Sequence, residues 1–156
     1  MLGLALFLLS ACGPQAPIQI TDLSVDGEPW VGEVVTLHIE VKSMFDETDT
    51  TIEVRLPKGV KLIEGDLSWQ GSLTANQVQA HELSLCVLYE GDWRILVRSR
   101  SQHSETSSYT NSETMHLITS AESARAVPGW EYRYTQPTGG HPPNTHLPET
   151  TTQVCP

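Results

Sequence analysis

The chain has 156 residues, and its 19 acidic and 9 basic side chains give a formal net charge of −10 at pH 7. Such an acidic surface repels the phosphates of nucleic acids and the headgroups of anionic lipids, so we expect no nucleic-acid partner. Roughly 145 residues follow the apolar N-terminus, which suits one domain with a tail.

An apolar run opens the chain and ends in the motif Leu9, Ser10, Ala11 and Cys12. This run is shorter than the ~20 apolar residues that a membrane-spanning helix needs, and it fits the hydrophobic region of a signal peptide. The small residues before the cysteine leave room for a signal peptidase. The N-terminus therefore resembles the lipobox signal of bacterial lipoproteins.

The resemblance implies a signal peptide over 1–11, a thioether-linked lipid on Cys12, and a short tether over 12–17. It also implies a protein that is lipid-anchored on the extracytoplasmic face of a cell membrane, because two acyl chains are enough for stable attachment. No Lys or Arg precedes the apolar run, which departs from the usual pattern. An ordinary cleaved secretory signal, with Cys12 incidental, remains the alternative.

Alternating apolar and polar residues dominate the stretch from residue 18 to residue 120, as expected for strands with one buried face. The clearest example is Val35–Val41, and the segments 52–56 and 93–97 repeat the pattern. Glycine- and proline-containing turns separate these runs. The sequence predicts an all-β fold, namely a single antiparallel β-sandwich of seven or eight strands.

The segments 32–41, 54–60 and 91–97 resemble bacterial immunoglobulin-like and fibronectin-like modules in strand rhythm and in the turn Leu56-Pro-Lys-Gly-Val60. The resemblance implies an immunoglobulin-like sandwich over 18–120. Such modules act as spacers, as binders of proteins or glycans, or as parts of envelope assemblies. Since fold does not fix function, no functional residue is transferred from them.

Two cysteines remain besides Cys12. An oxidising compartment would permit Cys86 and Cys155 to form a disulfide. Cys86 lies inside an apolar run, where a buried free thiol is the alternative. Their spacing does not decide between the two.

Catalytic motifs such as G-x-S-x-G and S-x-x-K are absent from the sequence. We therefore predict a non-enzyme that needs no cofactor. The acidic segment with Asp46, Glu47 and Asp49 is a weak candidate for a calcium site, but it lacks the glycine and the spacing of an EF-hand loop. A solvated turn is the preferred interpretation, and no metal is predicted.

Arg94, Arg98 and Arg100 share the outward face of one predicted strand and form a basic stripe on an acidic protein. They are candidates for binding an anionic glycan or an acidic protein. The alternative is that they pair with outward acidic residues, such as Glu82, on a neighbouring strand.

The composition changes after residue 120, since six of the ten prolines lie in 121–156. This predicts a mostly disordered tail rich in Pro and Thr. Within it, the alternating aromatics Trp130, Tyr132 and Tyr134 predict one extra strand over 130–134, which packs on a sheet edge or binds a partner.

Together these patterns predict a membrane-anchored envelope lipoprotein that acts as a non-catalytic binding or scaffolding module for protein or glycan partners. A purely structural spacer and a small envelope hydrolase are the alternatives. The sequence leaves the identity of the partner and of the membrane open.

Overall fold

A computed structural model describes residues 16–135 and Cys155. This part of the chain is all-β, with nine strands rather than the predicted seven or eight, and one short helix. The elements are β1 (Ile18–Asp26), β2 (Val34–Ser43), β3 (Glu47–Arg55), β4 (Val60–Glu64), β5 (Ser68–Leu73), β6 (Val78–Val87), β7 (Gly91–Ser104), β8 (Ser107–Thr119), β9 (Ala124–Pro128) and α1 (Gly129–Thr135). The signal peptide, Cys12 and the tail over 136–154 lie outside the described residues.

The strands form two sheets. One has four strands in the order β1-β2-β6-β4, and the other has five in the order β5-β3-β7-β8-β9. All neighbouring strands within them are antiparallel. The first order matches the A-B-E-D sheet of immunoglobulin domains, and the second extends a C-F-G sheet on both sides. The fold is therefore a β-sandwich that is compatible with an immunoglobulin-like domain.

The core lies between the sheets and is built by the predicted alternation. Inward side chains of β2 in one sheet and β7 in the other are almost fully buried: Val35, Leu37, Ile39, Val41, Trp93, Ile95 and Val97. The Trp93 Nε1–H donates a hydrogen bond to the backbone carbonyl of Tyr89 at 2.7 Å. Gly59 lies flat against the Trp93 indole, where any Cβ would overlap the ring. The largest core side chain therefore requires a glycine beside it.

The stretch 99–112 forms the outer half of a long hairpin made by β7 and β8. Ser99 and Ser101 are fully buried and continue the inward alternation of β7. Small hydroxyl residues thus occupy inward positions that apolar residues hold earlier in β7.

The sandwich also extends beyond residue 120. The chain adds β9 to the edge of the five-stranded sheet and then forms α1, so the extra strand predicted over 130–134 is wrong. Pro128 ends β9, because proline has no N–H to continue the ladder. Glu131 in the first turn and Arg133 in the last turn of α1 suit the helix dipole.

Cys86 and Cys155 form a disulfide with a Cα–Cα distance of 6.2 Å, which is within the usual range. The alternative of a free Cys86 thiol is therefore wrong. Cys86 is fully buried, yet it alternates along β6 with the core residues Leu85 and Val87. The bond consequently fastens the end of the chain to the outward face of the four-stranded sheet.

We expect the disulfide to stabilise the fold because it closes a loop of 69 residues. Cys155→Ser should lower the free energy of unfolding by about 2–4 kcal/mol. The measurement is denaturant unfolding with and without reductant, and reductant should destabilise the native chain alone. Equal unfolding midpoints of the native chain and the variant in the absence of reductant would contradict this expectation.

Candidate functional site: an arginine face on the five-stranded sheet

The predicted basic stripe lies on the outer face of the five-stranded sheet. Along β7, Arg94 and Arg100 are exposed and Arg98 is half-buried, while Leu96 lies between Arg94 and Arg98 on the same face. Since β7 is the central strand of its sheet, its outward side chains run along the middle of that face. The face is therefore arginine-lined from Arg94 to Arg100.

Glu82 does not neutralise these arginines. It lies on β6 in the opposite sheet, where its Oε1 is 3.2 Å from the Nδ1 of His38. The pairing with Glu82 failed as a prediction because the sequence did not reveal which strands are neighbours.

The acidic residue opposite Arg98 on β3 is Glu53. Its carboxylate lies 3.7 Å from the guanidinium of Arg55, on the same strand. Among the described residues, no carboxylate comes within ion-pair distance of Arg94, Arg98 or Arg100. Three guanidinium groups of the face are thus free of an acidic partner in this part of the chain.

A shallow depression of about 290 Å³ opens between β3 and β7. Its lining residues are Thr51, Glu53, Arg55, Arg98 and Arg100. Within the described chain, the Arg98 Nε is enclosed and has no hydrogen-bond partner. Arg100 donates one 3.4 Å hydrogen bond to the amide oxygen of Gln102. We call Arg55, Arg98 and Arg100 the arginine patch.

The chemistry of the patch is that of anion binding. A guanidinium presents a planar fork of donors that matches a carboxylate, a sulfate or a phosphate in two-point contacts. A second depression beside it is lined by Asp49, Thr51, Gln70, Arg100 and Gln102. These hydroxyl and amide groups can exchange hydrogen bonds with a sugar or a peptide next to the charged group.

Arg55 was missed by the sequence reasoning. Its outward position on β3 follows from the alternation, but its nearness to Arg98 depends on the antiparallel register of β3 and β7. That register brings together residues about forty positions apart, and no local pattern encodes it.

Arg94 stands apart from the patch and faces His116 on β8. The His116 Nδ1 lies 2.7 Å from an Asp92 carboxylate oxygen, and the His116 ring stacks on Tyr132 of α1 with centroids 3.6 Å apart. The Tyr132 hydroxyl donates to the other oxygen of Asp92. Asp92, His116 and Tyr132, which we call the helix clamp, fasten α1 across the outer face of the sheet.

The clamp contains an Asp–His pair, but its geometry serves packing. His116 is only 4% exposed, because α1 covers it. Within the described chain, no serine, threonine or cysteine side chain is hydrogen-bonded to its ring. Tyr132 is half-buried and packs on its own domain, which is one of the two alternatives that the sequence left open for this segment.

Trp130 has the opposite environment from Tyr132, since 64% of it is exposed. It lies beside a cleft of about 410 Å³ that also contacts Ile20, Leu23 and Pro128. This cleft lies on the β1 side of the sandwich, away from the arginine patch. Tyr134 belongs to the same helix as Trp130. The structure thus separates the two sets of residues that were proposed to contact partners.

The acidic segment does not form a cluster. Asp46 accepts a 2.8 Å hydrogen bond from the backbone N–H of Ala75, and Asp49 accepts one of 3.0 Å from Gln70. Glu47 is 2% exposed at the start of β3 and accepts a 2.7 Å hydrogen bond from Ser101. The predicted solvated turn is wrong for Glu47, since its side chain points into the sandwich.

His81 carries the one resolved change in acidity among the described residues. Burial lowers the pKa of its imidazole, because desolvation disfavours the charged ring. The ring lies 5.2 Å from Trp69 in the opposite sheet. The lowered pKa favours the neutral imidazole at pH 7.

Residues 16–135 contain no group of three or more His, Cys, Asp or Glu side chains suited to hold a metal ion. The same stretch has no helix long and apolar enough to cross a membrane. The sequence matches no protein-family model and no curated protein. The function is therefore inferred from the geometry of the arginine patch.

The helix clamp gives a testable expectation. Tyr132→Phe removes the O–H that donates to Asp92, so we expect it to destabilise the protein by about 1.5–3 kcal/mol, the usual value for a hydrogen bond to a charged group. Denaturant unfolding measures the loss, and amide hydrogen exchange over 124–135 shows whether α1 and β9 open first. Tyr89→Phe is the matched control and should leave the stability within about 0.5 kcal/mol. Equal effects of the two substitutions would refute the clamp.

Proposed function

We propose that this chain is a lipid-anchored envelope protein whose sandwich is a non-catalytic binding module for an anionic glycan or an acidic protein. One observation carries the proposal: the arginine patch lies in a depression on an otherwise acidic protein, and Arg98 and Arg100 lack ion pairs among the described residues. If these arginines formed ion pairs within the domain, their guanidinium groups would not be available to an anionic partner.

The partner's chemistry follows from the guanidinium groups. Hydrogen bonds to charged groups contribute about 1.5–3 kcal/mol each, so one such bond from each of two arginines supplies about 3–6 kcal/mol of the roughly 8 kcal/mol of a micromolar affinity. The net charge of −10 repels extended polyanions at a distance. Screening limits this repulsion to about 8 Å at physiological salt. A partner with separated carboxylates or sulfates therefore fits better than a nucleic acid.

The proposed location has two supports. The Cys86–Cys155 disulfide suits an oxidising compartment outside the cytoplasm. The motif from Leu9 to Cys12 resembles a lipoprotein signal, and a diacylglyceryl group would hold the domain stably on the membrane. The proposal thus places the binding module at the extracytoplasmic surface.

The arginine patch is tested by combining Arg98→Ala with Arg100→Ala. We expect the variant to bind an anionic probe at least about 100-fold more weakly, because it loses two charge-assisted contacts worth about 1.5–3 kcal/mol each. The probes are a short sulfated oligosaccharide, a short oligogalacturonate as a carboxylated glycan and a short glutamate-containing peptide as an acidic polypeptide. Affinities at two salt concentrations provide the measurement, and binding should weaken as salt rises.

Lys61→Ala is the matched control, because it removes one exposed positive charge from β4 in the other sheet. It should leave the affinity nearly unchanged. Arg98→Lys keeps the charge but loses the planar fork, so its affinity should be intermediate. If the double variant and the control bind alike, the patch is not the binding surface. If native protein binds none of the probes and captures no partner from membrane extracts, the spacer alternative holds instead.

The anchor is tested separately by metabolic labelling with a palmitate analogue. Cys12→Ala should abolish incorporation and release the protein from the membrane fraction, because the diacylglyceryl group attaches through the Cys12 sulfur. Ser10→Gly, which keeps a small residue in the motif, should still be labelled. Unchanged labelling of Cys12→Ala would show that the lipobox interpretation is mistaken.

A further inference from the structure

Two large apolar side chains stand next to each other in solvent on the loop between β2 and β3. Met44 is 50% exposed and Phe45 is 51% exposed. Single exposed apolar residues are ordinary on protein surfaces. The adjacent pair Met44 and Phe45 at the tip of a loop therefore needs a specific explanation.

The loop is fixed to the sandwich rather than free. The Met44 N–H donates to the carbonyl of Pro17 at 2.8 Å, and the Phe45 N–H donates to the Ser43 hydroxyl at 3.2 Å. The neighbouring turn reaches the base of the loop, where the Asn76 N–H donates to the Ser43 carbonyl at 2.8 Å. These bonds hold the two side chains outward at one end of the molecule, which we call the tether end.

The tether end is where the chain enters the fold. Pro17 precedes β1 directly, and its bond to Met44 puts the apolar loop beside the first described residues. Cys12 stands five residues earlier in the sequence, and five extended residues span at most about 17 Å. A lipid on Cys12 would therefore keep the loop within 17 Å of the bilayer.

We infer that Met44 and Phe45 insert into the interfacial region of the bilayer to which Cys12 tethers the chain. The inference rests on the anchor in the proposed function, which brings the tether end to the membrane. Interfacial apolar groups penetrate about 5–10 Å, a depth that suits a loop tip. The lipid and the loop would then be two attachment points, and they would orient the sandwich with its tether end toward the membrane.

The lipid surface that fits is electrically neutral. Asp46 and Asp49 flank the loop and the net charge is −10, so anionic headgroups would be repelled. Zwitterionic phosphatidylcholine carries no net charge. It is therefore the surface used in the test.

This orientation would place the arginine patch near the membrane. β7 runs toward the tether end, and Arg100 lies four residues before its last residue, Ser104. That is about 13 Å at 3.3 Å per residue. The patch therefore faces sideways, just above the headgroups, where it meets partners that lie along the surface.

The test uses the lipid-modified full chain, purified from membranes and reconstituted into phosphatidylcholine vesicles that contain a diazirine group in one acyl chain. After irradiation, mass spectrometry locates the labelled peptides. We expect label on the peptide with Met44 and Phe45. Val34 is the internal control, because it is apolar and 40% exposed but lies at the start of β2, the opposite end of that strand. It should remain unlabelled.

The double variant Met44→Ser with Phe45→Ser should float with the vesicles as the native chain does and lose the label at this loop. Both side chains are exposed, so the fold should be preserved. If the native chain floats but the loop is unlabelled, or Val34 is labelled equally, the loop insertion is wrong and the anchor stands. If the native chain does not float, the anchor fails, and the insertion fails with it.

Discussion

Each core strand of this sandwich buries one face against the opposite sheet, and this constraint determines what the other face displays. On β7, Trp93, Ile95 and Val97 fill the space between the sheets, so Arg94, Arg98 and Arg100 must point outward. A guanidinium cannot take an inward position without a partner, since burial of an unpaired charge is costly. The arginine face is thus the outer side of a strand whose inner side fills part of the core.

The alternation made the fold class predictable from the sequence, including the inward residues of β2 and β7. The prediction failed in two stretches, where the pattern of apolar residues did not reveal the secondary structure. Buried serines hid the outer half of the β7–β8 hairpin, and the alternating aromatics of 130–134 form a helix because Tyr132 meets His116 and Asp92 on distant strands. Contacts between residues far apart in sequence, which no local pattern carries, decided these cases.

The same limit applies to the candidate site. The sequence identified three outward arginines, but strand order removed Glu82 from their surroundings and strand register added Arg55. The spacing of the cysteines did not decide whether Cys86 and Cys155 pair. In the structure, their disulfide fastens Cys155 to the four-stranded sheet. The disulfide and the arginine patch therefore lie on opposite faces of the sandwich.

The central claim is that the arginine patch binds anionic groups, and backbone-amide NMR of the purified chain tests it most directly. Titration with a short sulfated oligosaccharide should shift the resonances of Thr51, Arg55, Arg98 and Arg100, and added salt should reverse the shifts. Perturbations confined to the four-stranded sheet, or no saturable shifts at low salt, would contradict the account.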